Sequence, residues 1–271
     1  MAGPQDGEMP GGQDVNAGRD AYIAGRDMHV HLPPATEPVS RDEQLLRQAA
    51  TSVAEPPGAS AEDAVWIDLS HELESRLDLD YWNYHIGGLL RTFPKMRRSS
   101  NERLHHTARW LQGRVFPGNH KELQRIFAIL PKVIIDLLAV FGEHYEVPLP
   151  DQDDPWLRTE QFYKLDRGNP NAERRYHDHV NLLSDLALEL TRAVNWFCAT
   201  VRRDLDPTFR LQQGAVLVEG GPFEPDGDTR WFRPEYSPAE LSAAVDPYIT
   251  LDDFMSNRYA RDLHTEPTSQ Q

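Results

Sequence analysis

The chain has 271 residues, of which 39% are hydrophobic and 26% charged, with a formal net charge of −15 and one cysteine, Cys198. That length holds one large domain or two small ones. The acidic balance argues against general nucleic-acid binding, and a lone cysteine excludes an internal disulfide, as suits a reducing cytosol. No basic start followed by an apolar core appears at the N-terminus, so no secretory signal is expected. The longest apolar run, residues 126–141, is broken by Pro131, Lys132 and Asp136. It is too short to cross about 30 Å of hydrocarbon, so a buried core helix and a cytoplasmic location are expected.

Residues 1–14 carry four glycines, two prolines and almost no apolar side chains, the composition of a disordered lead. Residues 15–32, VNAGRDAYIAGRDMHVHL, contain Ala-Gly-Arg-Asp twice, seven residues apart. Gly18, Arg19 and Asp20 form one turn, and Gly25, Arg26 and Asp27 the second. Between and around them lie short β-prone pieces built on Val15, Asn16, Tyr22, Ile23, Met28 and Val30. An odd period places the two copies on opposite faces of one unbroken strand, which favours three short pieces.

Residues 33–62 read as a Pro-rich linker with one weak helix begun by Ser40 and Glu43. The helical domain is expected over 63–263. Trp66, Leu69, Leu73, Leu77 and Tyr81 mark its first helix. Ser99 with Glu102 forms a capping-box signature ahead of Leu104, Ala108, Leu111 and Val115, and Pro117-Gly118 ends that helix. Asn119 with Glu122 starts the next, Pro131 kinks or splits it, and Gly142 stops it. Residues 143–154 form an acidic, Pro-rich loop. Residues 172–205 carry apolar side chains at steps of three or four and form the longest helix, apolar on one face. Beyond Pro207, strands are expected at 209–212, 215–219 and 229–236, with turns at Gly220-Gly221 and Asp226-Gly227. A short helix over 237–245 follows, and residues 264–271 should fray. The fold class is thus mainly α: a helical bundle with one long helix and a small C-terminal β-hairpin, behind a disordered N-terminal region.

No phosphate loop and no nucleophile elbow is present. Cys198, inside an apolar run, is expected to be a buried hydrophobe. Eleven histidines prompt a metal search. His177 and His179 diverge by about 200° on one helix, His105 and His106 are adjacent, and His71-Glu72-Leu73-Glu74-Ser75 lacks a second histidine. No metal site, cofactor or catalytic set is expected, and Glu122, Asp136, Glu160, Asp178 and Asp185 are expected on solvated faces. One charge asymmetry stands out. Arg91, Lys95, Arg97, Arg98, Arg103, Arg109, Arg114, Lys121 and Arg125 face only Glu102 and Glu122 within residues 91–125, a net +7. Pairing with the chain's own acidic loop at 143–154 is the favoured expectation for this basic lobe. The alternative is that it meets an anionic membrane, RNA or an acidic partner.

Strands of three to five residues are unstable alone, so the repeat needs another sheet edge or copies of itself. Residues 15–31 resemble the short amyloid-type signalling motifs of bacterial, especially actinobacterial, NLR-like immune systems, analogous to the RIP homotypic interaction motif. The resemblance covers the repeat alone. It implies that the motif on a receptor templates the same motif on an effector, often one with a helical domain. The expectation is an interaction protein that self-associates or binds a partner bearing a similar repeat. A membrane-active helical effector and an enzyme of unrecognised type are the alternatives.

Overall fold

The structure is a computed structural model that describes residues 60–147, 153–164, 168–220, 230–243 and 245–257. These belong to one unit, Gly58–Gln271. The lead, the repeat at 15–32, the linker up to residue 59 with its weak helix, the Asp226-Gly227 turn and the tail from 264 lie outside the described residues.

The first helix, α1 (Ala61–Leu77), opens on a capping box: the Ser60 hydroxyl accepts from the Asp63 N–H at 3.1 Å, and the Asp63 carboxylate accepts from the Ser60 N–H at 2.9 Å. The apolar spacing carries this helix on to Tyr81, but the chain turns at Asp78, whose φ of 54° is left-handed. Aspartate tolerates that region because its short side chain bonds locally. A 3₁₀ turn (Leu79–Tyr81) then buries Leu79 and leaves Tyr81 66% exposed. Helix α2 (Trp82–Ile86) and a second 3₁₀ turn (Gly87–Leu90) follow. At Gly88 a β-carbon would stand 2.3 Å from the Lys95 carbonyl oxygen, so only glycine permits this approach.

Strand β1 (Lys95–Arg97) leads into α3 (Arg98–Gln112). The Ser99–Glu102 box does not form. Asp154, from a distant loop, accepts from both the Ser99 N–H and the Ser99 hydroxyl at 2.9 Å, and a carboxylate is the stronger cap. The helix stops at Gln112, so Val115 lies beyond it and is 94% exposed. Helix α4 (Lys121–Glu143) begins after His120, not Asn119. Asn119 is engaged elsewhere: it accepts from the Trp66 indole N–H at 3.0 Å and donates to Asp63 at 2.9 Å. Pro131 does not split α4. Buried apolar residues on both sides, Phe127 and Leu130 before it and Ile134 and Leu137 after it, hold the helix in register across the missing N–H.

One strand lies inside the expected acidic loop and another begins just after it. Strands β2 (Tyr145–Glu146) and β3 (Trp156–Thr159) join β1 in an antiparallel sheet of order β1-β3-β2, with Met96 opposite Leu157 and Tyr145 opposite Thr159. A 3₁₀ turn (Phe162–Lys164) precedes the long helix α5 (Pro170–Asp204), capped by Asn169 with Pro170 in its first turn. Near the C-terminus β4 (Val218–Gly220) pairs antiparallel with β5 (Arg230–Phe232), followed by α6 (Pro238–Ser242) on a Ser237–Glu240 capping box and by α7 (Leu251–Asn257). Residues 209–212 are not a strand but a turn. Phe209 packs against Phe197 at 5.7 Å, and the buried Arg210 reaches Glu74 at 2.7 Å and Asp80 at 2.9 Å. Placing both anchors inward takes Arg210 to a φ of 50°.

Helix α4 packs between α3 and α5. Its Phe127 sits at the centre of an aromatic chain: Trp66 at 5.3 Å, Phe116 at 5.0 Å and Phe197 at 5.8 Å. Every residue of α5 from 186 to 198 is buried, so the helix is covered on all faces there, not on one. Its polar residues must then find partners inside the protein. Asn195 donates to the carbonyls of Val216 and Pro234, both at 2.9 Å, and accepts from the Val216 N–H at 2.8 Å. Glu189 accepts from the Tyr236 hydroxyl at 2.8 Å and pairs with the buried Arg192 at 3.3 Å, which also meets Glu240 and the Glu235 carbonyl. No helix among the described residues is long and apolar enough to cross a membrane.

Two outcomes follow from these contacts. Asn195→Ala strands one buried N–H and two carbonyls, so it should cost about 3 kcal/mol, read as a lowered denaturant midpoint at unchanged m-value. The second concerns the buried His85, whose ring meets Ser100 Oγ at 2.8 Å through Nδ1 and Asp78 at 3.1 Å through Nε2. A neutral ring with its proton on Nε2 satisfies both partners. Burial pushes its pKa below 6.5, outweighing the upward pull of Asp78. The unfolded chain therefore takes up this proton first. The contribution of His85 to stability is full above 6.5 and declines as pH falls below it. Nitrogen-15 NMR should show the Nε2–H tautomer with a midpoint under 6.5; a midpoint at or above that value would contradict this.

Candidate functional site

The basic residues anticipated as a lobe do not form one free positive surface. Arg91 pairs with Glu219 at 3.0 Å, Arg103 with Asp78 at 3.6 Å, Arg114 with Glu72 at 3.2 Å and Arg125 with Asp246. Arg97 donates to the Asp154 carbonyl at 2.7 Å. Five of the nine thus meet acceptors within the chain, and of these only Arg97 turns to the 143–154 loop; the other four find theirs at α1 and its C-cap, β4 and the C-terminal segment. Arg98 and Arg109 are exposed on α3.

Two of these residues do meet in a cleft. It measures about 850 Å³ and is lined by Tyr84, Arg91, Phe93, Lys95, Trp156 and Arg158, among others. Strand pairing builds it. Lys95 and Arg97 stand two apart on one strand and so share a face, where their cations lie 4.6 Å and 4.0 Å from the Trp156 ring centroid. Arg158 is held by Glu146, and Arg91 by Glu219. Trp156 and Arg158 are absent from the sequence-derived set because their partner strand lies some sixty residues earlier. A four-residue strand carries no local signal that would have marked them.

A second cleft, of about 470 Å³, opens where the end of α4 meets the first third of α5. Glu143 is the last residue of α4, His144 its C-cap, and His179 projects from α5. Their ligand-type atoms all lie within 4.8 Å of one another. The His144 and His179 rings stand edge to face at 5.1 Å, and Phe162 covers His144 at 4.6 Å. His179 Nε2 is buried and has no hydrogen-bond partner among the described residues. Burial first, and the neighbouring His144 second, push the His179 pKa down to about 4. The two histidines singled out on α5 indeed do not converge. His179 instead meets a residue 35 positions earlier, a juxtaposition that no local spacing reveals. Val140, Leu182, Leu251 and Met255 supply apolar walls.

The remaining candidates are structural. Cys198 is buried, and burial raises its thiol to about 12, far from a thiolate at neutral pH. Two carboxylates expected on solvated faces are anchors instead: Glu122 accepts from the Trp196 indole at 2.7 Å and from Arg203 at 2.6 Å, and Asp136 accepts from the Tyr248 hydroxyl at 2.7 Å.

Neither a protein-family model, nor a curated protein, nor a solved structure matches the chain. Function must be argued from its own residues.

The pairing of the basic run has a measurable consequence. The full chain should not co-sediment with vesicles rich in anionic lipid at physiological ionic strength. Salt-sensitive co-sedimentation, lost in an Arg98→Gln/Arg109→Gln variant, would instead reveal a free cationic face on α3.

Proposed function

We propose that this chain is an interaction protein of a bacterial defence-type signalling system. In it, the N-terminal repeat drives homotypic or heterotypic assembly, and the helical body acts as effector or adaptor. The observation that carries this reading is the duplication of Ala-Gly-Arg-Asp seven residues apart, as Ala17–Asp20 and Ala24–Asp27. The β-prone pieces beside the turns are too short to be stable singly and gain stability only from a second edge. Parallel stacking in register sets Arg19 on Arg19 and Asp20 on Asp20. Neighbouring Arg–Asp pairs within each layer offset that repulsion.

The helical body supports the reading from its own side. It begins with a capping box at Ser60, and its buried apolar core draws on residues from Trp66 to Phe254. The apolar helix α4, which a membrane-active effector would insert, is committed to that core: Leu123, Ile126, Phe127, Leu130, Ile134 and Leu137 are all buried at 1% exposure or less. Inserting it would require unpacking the bundle.

The test is sedimentation of the full chain beside Tyr22→Asp/Ile23→Asp. Stacked copies of that variant would align carboxylates in the centre of the segment. The wild type should form large species above a threshold concentration and seed fresh monomer. The variant should stay monomeric with an unchanged helical melting curve. A wild type that remains monomeric up to its solubility limit, or a variant that assembles equally well, would sink the proposal.

A further inference from the structure

We propose that Glu143, His144 and His179 form a binding site for a divalent first-row transition ion of the Zn²⁺ type, at the cleft between the end of α4 and the first third of α5. The three residues come from two helices and bring their ligand-type atoms within 4.8 Å of one another. Around a tetrahedral zinc the nitrogen and oxygen ligands sit about 3.3 Å apart. Side-chain rotation of about an ångström closes the remaining gap. His144 has left the helix, at φ −141°, and Glu143 is exposed at the helix end, so neither is locked by packing on all sides.

An independent observation points to a ligand here. His179 Nε2 is shielded from solvent and has no hydrogen-bond partner among the described residues. Leaving such a nitrogen unmade costs about 1–3 kcal/mol. His179 sits beside a second imidazole and a carboxylate, and all three residues border a cleft of about 470 Å³. Two imidazoles and one carboxylate are intermediate-to-hard donors. That set suits zinc, cobalt or nickel, and is poor for Ca²⁺ or Mg²⁺, which take mostly oxygen.

Three protein ligands leave a fourth position, which the cleft can supply with water or a small anionic group. The charges around it are mixed: Asp178 and Glu143 are acidic, and Arg175 also borders the cleft. Arg175 disfavours a bare cation but suits an anion bound to one. The ion would tie the C-terminus of α4 to α5 and give the helical body a ligand-responsive point.

The experiment uses the full chain, stripped with chelator and titrated with Zn²⁺ alone by calorimetry, then with Co²⁺ followed in the visible region. Eleven histidines make weak adventitious binding certain at high metal, so the variants decide. The wild type should take up one tight equivalent and show the intense bands of four-coordinate Co²⁺. His144→Ala and Glu143→Gln, both at the accessible helix end, should each weaken that equivalent about tenfold or more and dim the bands. His179→Ala should abolish it. Helical content and metal-free melting of the two accessible variants should match the wild type. Equal stoichiometry and affinity in His144→Ala/Glu143→Gln would assign the metal to other histidines and overturn the proposal. Absence of any tight equivalent in the wild type would leave water as the partner of His179 and overturn it equally.

Discussion

The constraint on which the rest of the structure depends is the complete burial of the middle of α5. Thirteen consecutive residues, 186–198, have no solvent face. A helix covered on every side must be surrounded, and one neighbouring helix cannot do that. Helix α4 covers one flank, the α1–α2 region another, and the C-terminal segment with β4, β5 and α6 the third. The sequence of α5 is not apolar all round, so burial also forces its polar residues into partnership. Thr191 accepts from the Trp82 indole at 3.1 Å and donates back to the Ala187 carbonyl at 2.8 Å. Glu189, Arg192 and Asn195 are each committed to the C-terminal segment.

That arrangement explains why an irregular C-terminal stretch stays folded. Its strands are three residues long, and a hairpin of that size is marginal on its own. Its backbone carbonyls at Val216, Pro234 and Glu235 are instead read by side chains of a rigid helix. The buried Arg192 sits 4.4 Å from the Tyr236 ring centre while pairing with two carboxylates, so charge, hydrogen bonding and packing converge on one guanidinium. Such a network contributes through the penalty of breaking it more than through net gain. It fixes where the segment lies, and thereby what covers the helix.

The difference between what was legible in the sequence and what was not follows the range of the interaction. The helices carry their period within themselves, so the long helix could be read directly. The capping boxes at Ser40, Ser99 and Asn119 depended on local spacing alone. Ser99 and Asn119 were recruited by partners more than fifty residues away, Asp154 in one case and Trp66 with Asp63 in the other. The β1-β3-β2 sheet escaped for the same reason: two- to four-residue strands have no period to detect until their partners are known. The cleft around Trp156 was half visible, as Arg91 and Lys95 in a basic run. Its aromatic floor and its neutralising acids were contributed from elsewhere. The histidine pair at the end of α4 was invisible, because His144 and His179 share no helix.

The two ends of α5 obey the same rule with different results. In its middle, each buried polar side chain described above has a protein partner. Toward its N-terminus, residues 173–175, 177, 178 and 181 are exposed, and the covering elements are a single 3₁₀ turn and the short α7. The protein interior runs out there before the polar groups do. A shielded imidazole nitrogen of His179 at that margin, in a residue next to a second imidazole and a carboxylate, is the point where the demand for a partner that organises the core goes unmet among the described residues. In this architecture a site for something other than protein falls at the edge of the packed helix, where enough burial remains to make an unpartnered atom costly and enough space remains to fill it.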